Sequence, residues 1–376
     1  MERQMNQREQ EKQALAVTKE FQMEGSAKSA AGYGSGHIND TFLVEGDRPY
    51  ILQRMNRSIF THPEEVMENI LGVTSFLKEK IEKAGGDSSR ETLNVILTKD
   101  GKSFYRDAAG EYWRMYNLVE DAVSFDRVES EQDFYESAVA FGNFQQQLWD
   151  YPAETLHETI PGFHDTAARY QTFLKAVEED VCGRAKEVQE EIAFFKERKD
   201  VSQILGKMLA EGKIPLRVTH NDTKLNNIMM DKKTRKGICV IDLDTVMPGL
   251  SVNDFGDSIR FGASTADEDE RDLSKVSCDL HLFELYVKGF LKGCGGRLTE
   301  TEIKMLPMGA KVMTYECGMR FLTDYLQGDV YFKIHREGHN LDRARTQMKL
   351  VADMEEKWDR MEQIVSECAK QEVKVY

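Results

Sequence analysis

The sequence predicts an α+β protein of two unequal lobes: a small mixed β-sheet lobe over residues 1–119 and a larger, mainly helical lobe over residues 120–376. Three observations carry that prediction. Strand-like stretches and glycines concentrate in residues 33–54 and 93–119. Helical periodicity dominates from residue 133 onward. A single β-hairpin, at 228–241, interrupts that helical half. A chain of 376 residues is long for one ordinary core and comfortable for two.

Taken in order, residues 1–22 read as an amphipathic helix or a loose polar extension. Residues 33–44 are glycine-rich and then β-like, and Pro49-Tyr50-Ile51-Leu52-Gln53-Arg54 reads as a strand, so a hairpin with glycines at its tip is expected. A helix begins at Pro63. Val66, Ile70, Val73, Leu77 and Ile81 form one apolar stripe along it, and Gly85-Gly86 ends it. Strands follow at 93–98 and 112–119. In the second half, helices are expected at 133–148, 167–196, 273–291, 302–326 and 341–368. A short strand at 216–220 precedes the hairpin, whose polar turn is Lys232-Lys233-Thr234-Arg235-Lys236-Gly237.

Composition narrows the function class. Apolar residues make up 40% of the chain and aromatics 9%, which supports sizeable cores and opposes general disorder. A formal net charge of -15 argues against non-specific nucleic-acid binding and against an anionic membrane surface. The six cysteines form no C-x-x-C pair and read as reduced thiols. The polar N-terminus has no secretory h-region, and no apolar run approaches the ~18 residues of a membrane span. The expectation is a cytoplasmic protein with a small-molecule substrate and neither nucleic acid nor membrane as partner. Its oligomeric state is left open, a monomer being compatible.

The strongest motif is His220-Asn221-Asp222-Thr223-Lys224-Leu225-Asn226-Asn227, of the form H-x-D-x-x-x-x-N. The hairpin follows at once and ends in Ile241-Asp242-Leu243-Asp244. Phosphoryl transfer needs a group that orients the attacking hydroxyl and oxygens that hold magnesium on the phosphates. Asp222 suits the first task. Asn227 and Asp242 suit the second, because a tight hairpin brings its two ends together. His220 is the other candidate of the catalytic loop, more as a brace than as an acid or base. A literal D-F-G at Asp254-Phe255-Gly256 is set aside as metal site, since Asp242 lies directly across the hairpin from Asn227. Asp254 and Asp257 are expected to cap a helix and hold the catalytic loop.

On the nucleotide side, Gly34, Ser35, Gly36, His37, Ile38 and Asn39 form a glycine-rich stretch whose N–H groups suit the phosphates of ATP, although the Walker lysine is missing. Asp40 and Thr41 are further candidates for phosphate or substrate. The strand cation expected of a kinase small lobe falls to Arg54, with Glu68 as its first helix partner and Glu64 and Glu65 behind it. Strand alternation points Gln53 and Arg54 to opposite faces, so only one can look at ATP. Leu118 and Glu120 bound the hinge whose backbone is placed to read adenine. Trp113 and Tyr116 fit core and cofactor contact equally.

The motif of residues 220–227, with Ile241-Asp242-Leu243-Asp244, resembles the aminoglycoside/choline kinase-like phosphotransferases. Gly34-Ser35-Gly36-His37-Ile38-Asn39-Asp40-Thr41-Phe42, Tyr50-Ile51-Leu52-Gln53-Arg54-Met55-Asn56 and Val240-Ile241-Asp242-Leu243-Asp244-Thr245-Val246-Met247-Pro248-Gly249 are similar to the N-acetylhexosamine 1-kinase branch. The resemblance implies a protein-kinase-like two-lobe fold, with ATP and Mg2+ as cofactors. It also implies transfer of the γ-phosphoryl group to the anomeric hydroxyl of an N-acetylhexosamine. On that resemblance Asp222 is the catalytic carboxylate and Asn227 and Asp242 hold the metal, with Asp244 assisting. Thr245, Phe261, Arg320 and Tyr331 then join Asp222 in contacting the sugar. The same machinery serves aminoglycosides, choline or ethanolamine, homoserine and methylthioribose as alternative acceptors. The intact Asp222, Asn227 and Asp242 oppose a catalytically dead nucleotide-binding protein. The absence of an A-P-E segment opposes a protein kinase.

Overall fold

The computed structural model describes residues 7–34 and 38–372. The small lobe begins with α1 (Gln7–Val17), followed by β1 (Ser29–Gly32), β2 (Asp40–Glu45) and β3 (Tyr50–Arg54). Then come α2 (Pro63–Lys83), α3 (Ser88–Glu91), β4 (Val95–Ile96), β5 (Tyr105–Arg106) and β6 (Tyr112–Asn117). The strands form one sheet in the order β1-β2-β3-β6-β4, with β5 also on β6. Every pairing is antiparallel, which corrects the expected mixed sheet. The glycine-rich segment joins β1 to β2 rather than β2 to β3. Ser29–Gly32 is too short and too small in its side chains to announce itself as a strand.

Strand alternation splits the sheet into two faces. Phe42, Val44, Leu52, Trp113 and Met115 pack with Ala14 and Val17 of α1 on the outer face. Ile51, Tyr112 and Tyr116 pack with α2 on the inner one. The stripe Val66, Ile70, Val73, Leu77 and Ile81 is buried throughout, each side chain contributing about 1.5–3 kcal/mol. The helix stops where Gly85 takes φ +79°, the left-handed conformation that favours glycine.

The chain crosses to the large lobe between β6 and β7 (Ala122–Val123), which pairs with the hairpin β9/β10 rather than with the first sheet. Next come α4 (Glu131–Gln147), α5 (Thr166–Glu179), α6 (Gln189–Glu197) and α7 (Ile204–Ala210). A strand block follows: β8 (Arg217–Thr219), β9 (Ile228–Asp231), β10 (Gly237–Val240) and β11 (Met247–Gly249), with β8 paired to β11. The remainder is α8 (Ser251–Gly262), α9 (Leu280–Cys294), α10 (Glu300–Lys304), α11 (Leu306–Leu326), α12 (His339–Glu356) and α13 (Trp358–Glu372). The core is aromatic where α8 meets α9: Phe255, Phe283, Tyr286 and Phe290 are each fully buried. Among the described residues no helix is long and apolar enough to cross a membrane, and all six cysteines are free thiols.

The helix boundaries differ from the periodicity in ways that backbone chemistry explains. The expected helix 167–196 is two helices, because Asp180 and Gly183 take left-handed φ of +38° and +66°. The helix expected from 273 begins at Leu280, where the Asp279 carboxylate accepts from the N–H groups of His281 and Leu282. Pro307 starts α11 and separates it from α10. Helix α8 has no counterpart in the expected pattern. Its two aspartates, Asp254 and Asp257, lie inside the helix rather than capping it.

Candidate active site

The catalytic loop leaves β8 at His220, which is fully buried edge-on against Phe141 and Phe144. The His220 Nε2 lies 2.8 Å from the carbonyl of Ile241, and Nδ1 faces the N–H of Asp222 at 3.3 Å. An acceptor on one side and a donor on the other fit the neutral ring with its proton on Nε2. His220 thus ties the loop to the residue just before Asp242, a bracing position rather than one open to substrate.

Asp254, inside α8, holds the loop from below. Its carboxylate accepts from the N–H of His220 at 2.9 Å and of Asn221 at 2.8 Å. Asp257 accepts from the N–H of Thr223 at 3.1 Å. The D-F-G is therefore scaffold. Phe255 is core, and Gly256 lets α8 approach α11 so closely that a Cβ there would sit 2.2 Å from the Gly309 carbonyl.

This frame leaves the Asp222 side chain 26% exposed, 2.8 Å from Lys224 Nζ. Burial pushes the Asp222 carboxyl up, but the Lys224 ammonium overrides it and holds the group below the usual range. Lys224 in turn is held protonated, first by the charge of Asp222. Asn227 donates from Nδ2 to the Asp222 carbonyl at 2.8 Å and to its carboxylate at 3.2 Å. The backbone carbonyl of Asn227 accepts from Ile241 N–H at 2.9 Å, closing the hairpin base. Asp242 follows with φ +57°. Burial, then the charges of Asp244 and Asp222, push its carboxyl up to about 6. Asp222 and Asp244 are thus near enough for their charges to act on Asp242. Among the described residues no cluster of three or more His, Cys, Asp or Glu forms a ready metal cage.

Asp244 is differently employed from its expected metal role. It is 3% exposed, and its two oxygens are divided between Arg114 Nη1 and the Nδ2 of Asn39, the latter at 2.6 Å. Asn39 is thereby committed to the large lobe. The carbonyl of Ile38 accepts from Asn56 at 3.2 Å. Gly34 is exposed at the mouth of the β1–β2 connection, and Ser35, Gly36 and His37 lie outside the described residues. Asp40 and Thr41 are held by Arg54 and Gln53 respectively.

Arg54 is corrected as the cleft cation. It sits on the outer face of the sheet, with Nε 2.9 Å from Asp40 and its guanidinium over the Trp113 ring. Glu68 does not brace it. That side chain is 67% exposed and faces His157 at 2.8 Å. Glu64 accepts from the Tyr112 hydroxyl. A buried sheet cation that faces the large lobe is Arg114 on β6, 1% exposed, whose Nε donates to Gln53 at 2.9 Å. Trp113 and Tyr116 are core. At the hinge, Leu118 N–H donates to the Pro49 carbonyl at 3.3 Å and the Glu120 carbonyl accepts from Arg90 at 3.1 Å, so both are already engaged.

Of the residues expected to contact the sugar, Arg320 and Tyr331 come together, with the guanidinium 5.7 Å from the ring centroid. Arg320 also lies 5.5 Å from Phe163 and 5.4 Å from Phe332, and has no ion pair among the described residues. The pocket adds Arg169, whose buried Nε has no hydrogen-bond partner. Burial first, and then the charge of Arg320, lower the pKa of Arg169. Asp324 shapes the wall: its carboxylate accepts from the N–H groups of Val330, Tyr331 and Phe332 at 2.8–2.9 Å. His164 joins this pocket to the catalytic loop, facing Glu316 at 2.8 Å and the Asn221 carbonyl at 3.0 Å. Thr245 is buried, donating to the His220 carbonyl at 2.7 Å, a brace rather than an open contact. Phe261 is half-buried near the end of α8 and makes no ring contact with the Arg320 cluster.

Sequence reasoning missed Lys224, Arg114, Arg169, His164 and Asp324. Lys224 had a local signal, standing two residues after Asp222 inside the motif. The other four are far from it in sequence and are joined to it only by folding.

A kinase-like cleft, with a carboxylate, an amide and a second carboxylate at the base of a hairpin, defines the class. Residues 29–274 match the phosphotransferase enzyme family. The chain belongs to that family. Solved structures share the fold. A microcompartment-associated aminopropanol kinase has a TM-score of 0.60 at 17% identity, over 93% of this chain and 98% of its own. A spectinomycin phosphotransferase in complex with ADP and spectinomycin gives 0.55 at 13%, over 94% and 98%. Choline kinase from Cryptosporidium parvum gives 0.54 at 14%, over 93% and 96%.

Proposed function

We propose that this phosphotransferase moves the γ-phosphoryl group of ATP to the anomeric hydroxyl of an N-acetylhexosamine. For the transfer itself, the gathering of Asp222, Asn227 and Asp242 is the supporting observation. Asp222, kept ionised by Lys224, aims the attacking hydroxyl. Asp242, whose carboxyl is crowded by two others, and the Oδ1 of Asn227 suit a Mg2+ whose remaining ligands are phosphate oxygens and water. Such an ion, when bound, neutralises charge on the phosphates. With Leu118 N–H and Glu120 C=O engaged, Val119 becomes the first hinge residue to test for adenine.

The sugar reading is supported by the pocket of Arg169, Arg320, Tyr331 and Phe332, with Phe163 beside Arg320. The two guanidinium groups make no ion pair among the described residues, and their positive charge opposes a cationic acceptor. Choline and a protonated aminopropanol, named for two structural relatives, are cations. A neutral acceptor with several oxygens can take both arginines as donors and the aromatic faces as a wall. The test is a screen with ATP and Mg2+, reading ADP release across N-acetylhexosamines, free hexosamines, neutral sugars, amino alcohols and aminoglycosides. An acid-labile 1-phosphate by NMR is expected. A 6-phosphate, or turnover only with cationic acceptors, overturns the reading.

A further inference from the structure

We infer that Arg114 is a positioning residue that couples the two lobes, holding Asp244 and, through Asp244, fixing Asn39 at the start of β2 onto the turn that carries Asp242. The inference rests on the phosphotransferase reading of that turn and adds a control to it. Kinase small lobes usually place a lysine on the third strand and pair it with a helix glutamate. Here the third strand offers Gln53 to the inner face and sends Arg54 outside. The helix residue that meets the buried guanidinium is Met67, with Sδ 4.0 Å from Arg114 Nη1. No carboxylate of α2 reaches Arg114; its ion pair is with the large lobe.

The network is continuous across the cleft. Thr41 accepts from Gln53 at 3.0 Å, Gln53 accepts from Arg114, and Arg114 pairs with Asp244. Asp244 returns to the small lobe through Asn39, whose Oδ1 accepts from Asn56 N–H at 2.9 Å. The Asp244 carbonyl is held by the Thr159 hydroxyl at 2.8 Å. Next to it, Asn69 of α2 donates to the Val246 carbonyl at 3.0 Å, so the helix is fixed to the same turn without a charge. Arg114 is only 1% exposed, so its work is done through Asp244 rather than by touching phosphate. A buried pair of this kind fixes geometry more than it adds stability.

The test uses the full chain with Arg114→Met, Arg114→Lys, Asp244→Asn and the double variant Arg114→Met/Asp244→Asn. The double variant leaves no lone buried charge and keeps the test open if either single variant misfolds. For Arg114→Met, kcat/KM for ATP should fall on the order of 10–100-fold while the acceptor KM stays within about twofold. Arg114→Lys should restore part of the loss. The double variant should lose no more than the worse single one, as expected of residues acting as a unit. Hydrogen exchange of residues 38–45 should rise in Arg114→Met and in Asn39→Ala, without nucleotide or acceptor. That arm reports on the latch even if the acceptor assignment fails. Folded variants with unchanged exchange and ATP kinetics within twofold of wild type would overturn the inference.

Discussion

The large-lobe wall of the cleft is built from one stretch of chain, running from β8 through the hairpin into α8. The small-lobe wall is assembled from β2, β3, β6 and α2, which are remote in sequence. In the first, each polar side chain meets a partner fixed by local geometry: His220 reaches Ile241 across the hairpin base, and Asp254 reaches the amides of His220 and Asn221 one turn into the next helix. In the second, the partners are chosen by which face of a strand looks inward. One step along β3 separates Gln53, in the network, from Arg54, on the outside. The two walls therefore fail differently: the first by losing chemistry, the second by losing alignment.

The sharpest way to break this contrast is at Asp222. Asp222→Asn should lower kcat by on the order of 10³-fold, with ATP affinity retained, because a neutral amide aims the attacking hydroxyl less well than a carboxylate. Stopped assays of ADP release and calorimetric ATP titration separate the two effects. Turnover near the wild-type rate would remove Asp222 from its role. Asp242 gives the next effect. With Mg2+ at about a hundredfold its dissociation constant, wild type should gain about 2.7 kcal/mol of stability, read as a rise in Tm. Asp242→Asn should lose that rise. Without metal the variant should be no less stable than wild type, since it removes a carboxylate crowded by Asp244 and Asp222.

What was readable in the sequence follows the same division. The motif of residues 220–227, the hairpin and Asp242 were legible because spacing along the chain fixes spacing in space. The stripe of α2 was legible because burial imposes a 3.6-residue period. The strand cation was not, because the choice between Arg54 and Arg114 depends on which face of each strand looks toward the large lobe. Alternation excluded Gln53 and Arg54 from sharing a face but could not say which face was inward. Helix α8 was hidden by its polar first turns, whose aspartates serve the catalytic loop rather than solvent. Arg169 and Asp324 carried no signal at all: one is an arginine in an ordinary helix, the other a buried carboxylate that organises a loop after it.

On the acceptor side the effects should be smaller and confined to one substrate. Arg320→Met should raise the acceptor KM about 10–100-fold with the ATP KM unchanged, by removing a donor but not the reacting groups. Asp324→Asn should act in the same direction by freeing Tyr331 and Phe332, since an amide oxygen cannot replace both carboxylate oxygens toward three N–H groups. An effect on ATP instead of the acceptor would detach this pocket from the acceptor site.

The smallest effect is expected at His164, which ties the catalytic loop to α11 within the large lobe. Its Nδ1 faces the Glu316 carboxylate and its Nε2 the Asn221 carbonyl, both acceptors, so only the imidazolium satisfies both. Burial lowers the His164 pKa, but Glu316 outweighs it and the net direction is up from 6.5. Burial likewise raises Glu316, and His164 outweighs it, moving that carboxyl below 4.5. The histidine contribution is fully present below pH 6.5 and lost as pH rises through its higher folded value. The glutamate contribution is present above 4.5 and lost as pH falls through its lower folded value. Both are complete between those limits. At pH 5.5, His164→Gln should therefore cost about 1–3 kcal/mol in urea unfolding. The gap to wild type should narrow at alkaline pH, as the ring loses its proton through its higher folded value and one of its two acceptors goes without a donor. A gap of equal size at both pH values would mean that His164 holds the Asn221 carbonyl without carrying charge.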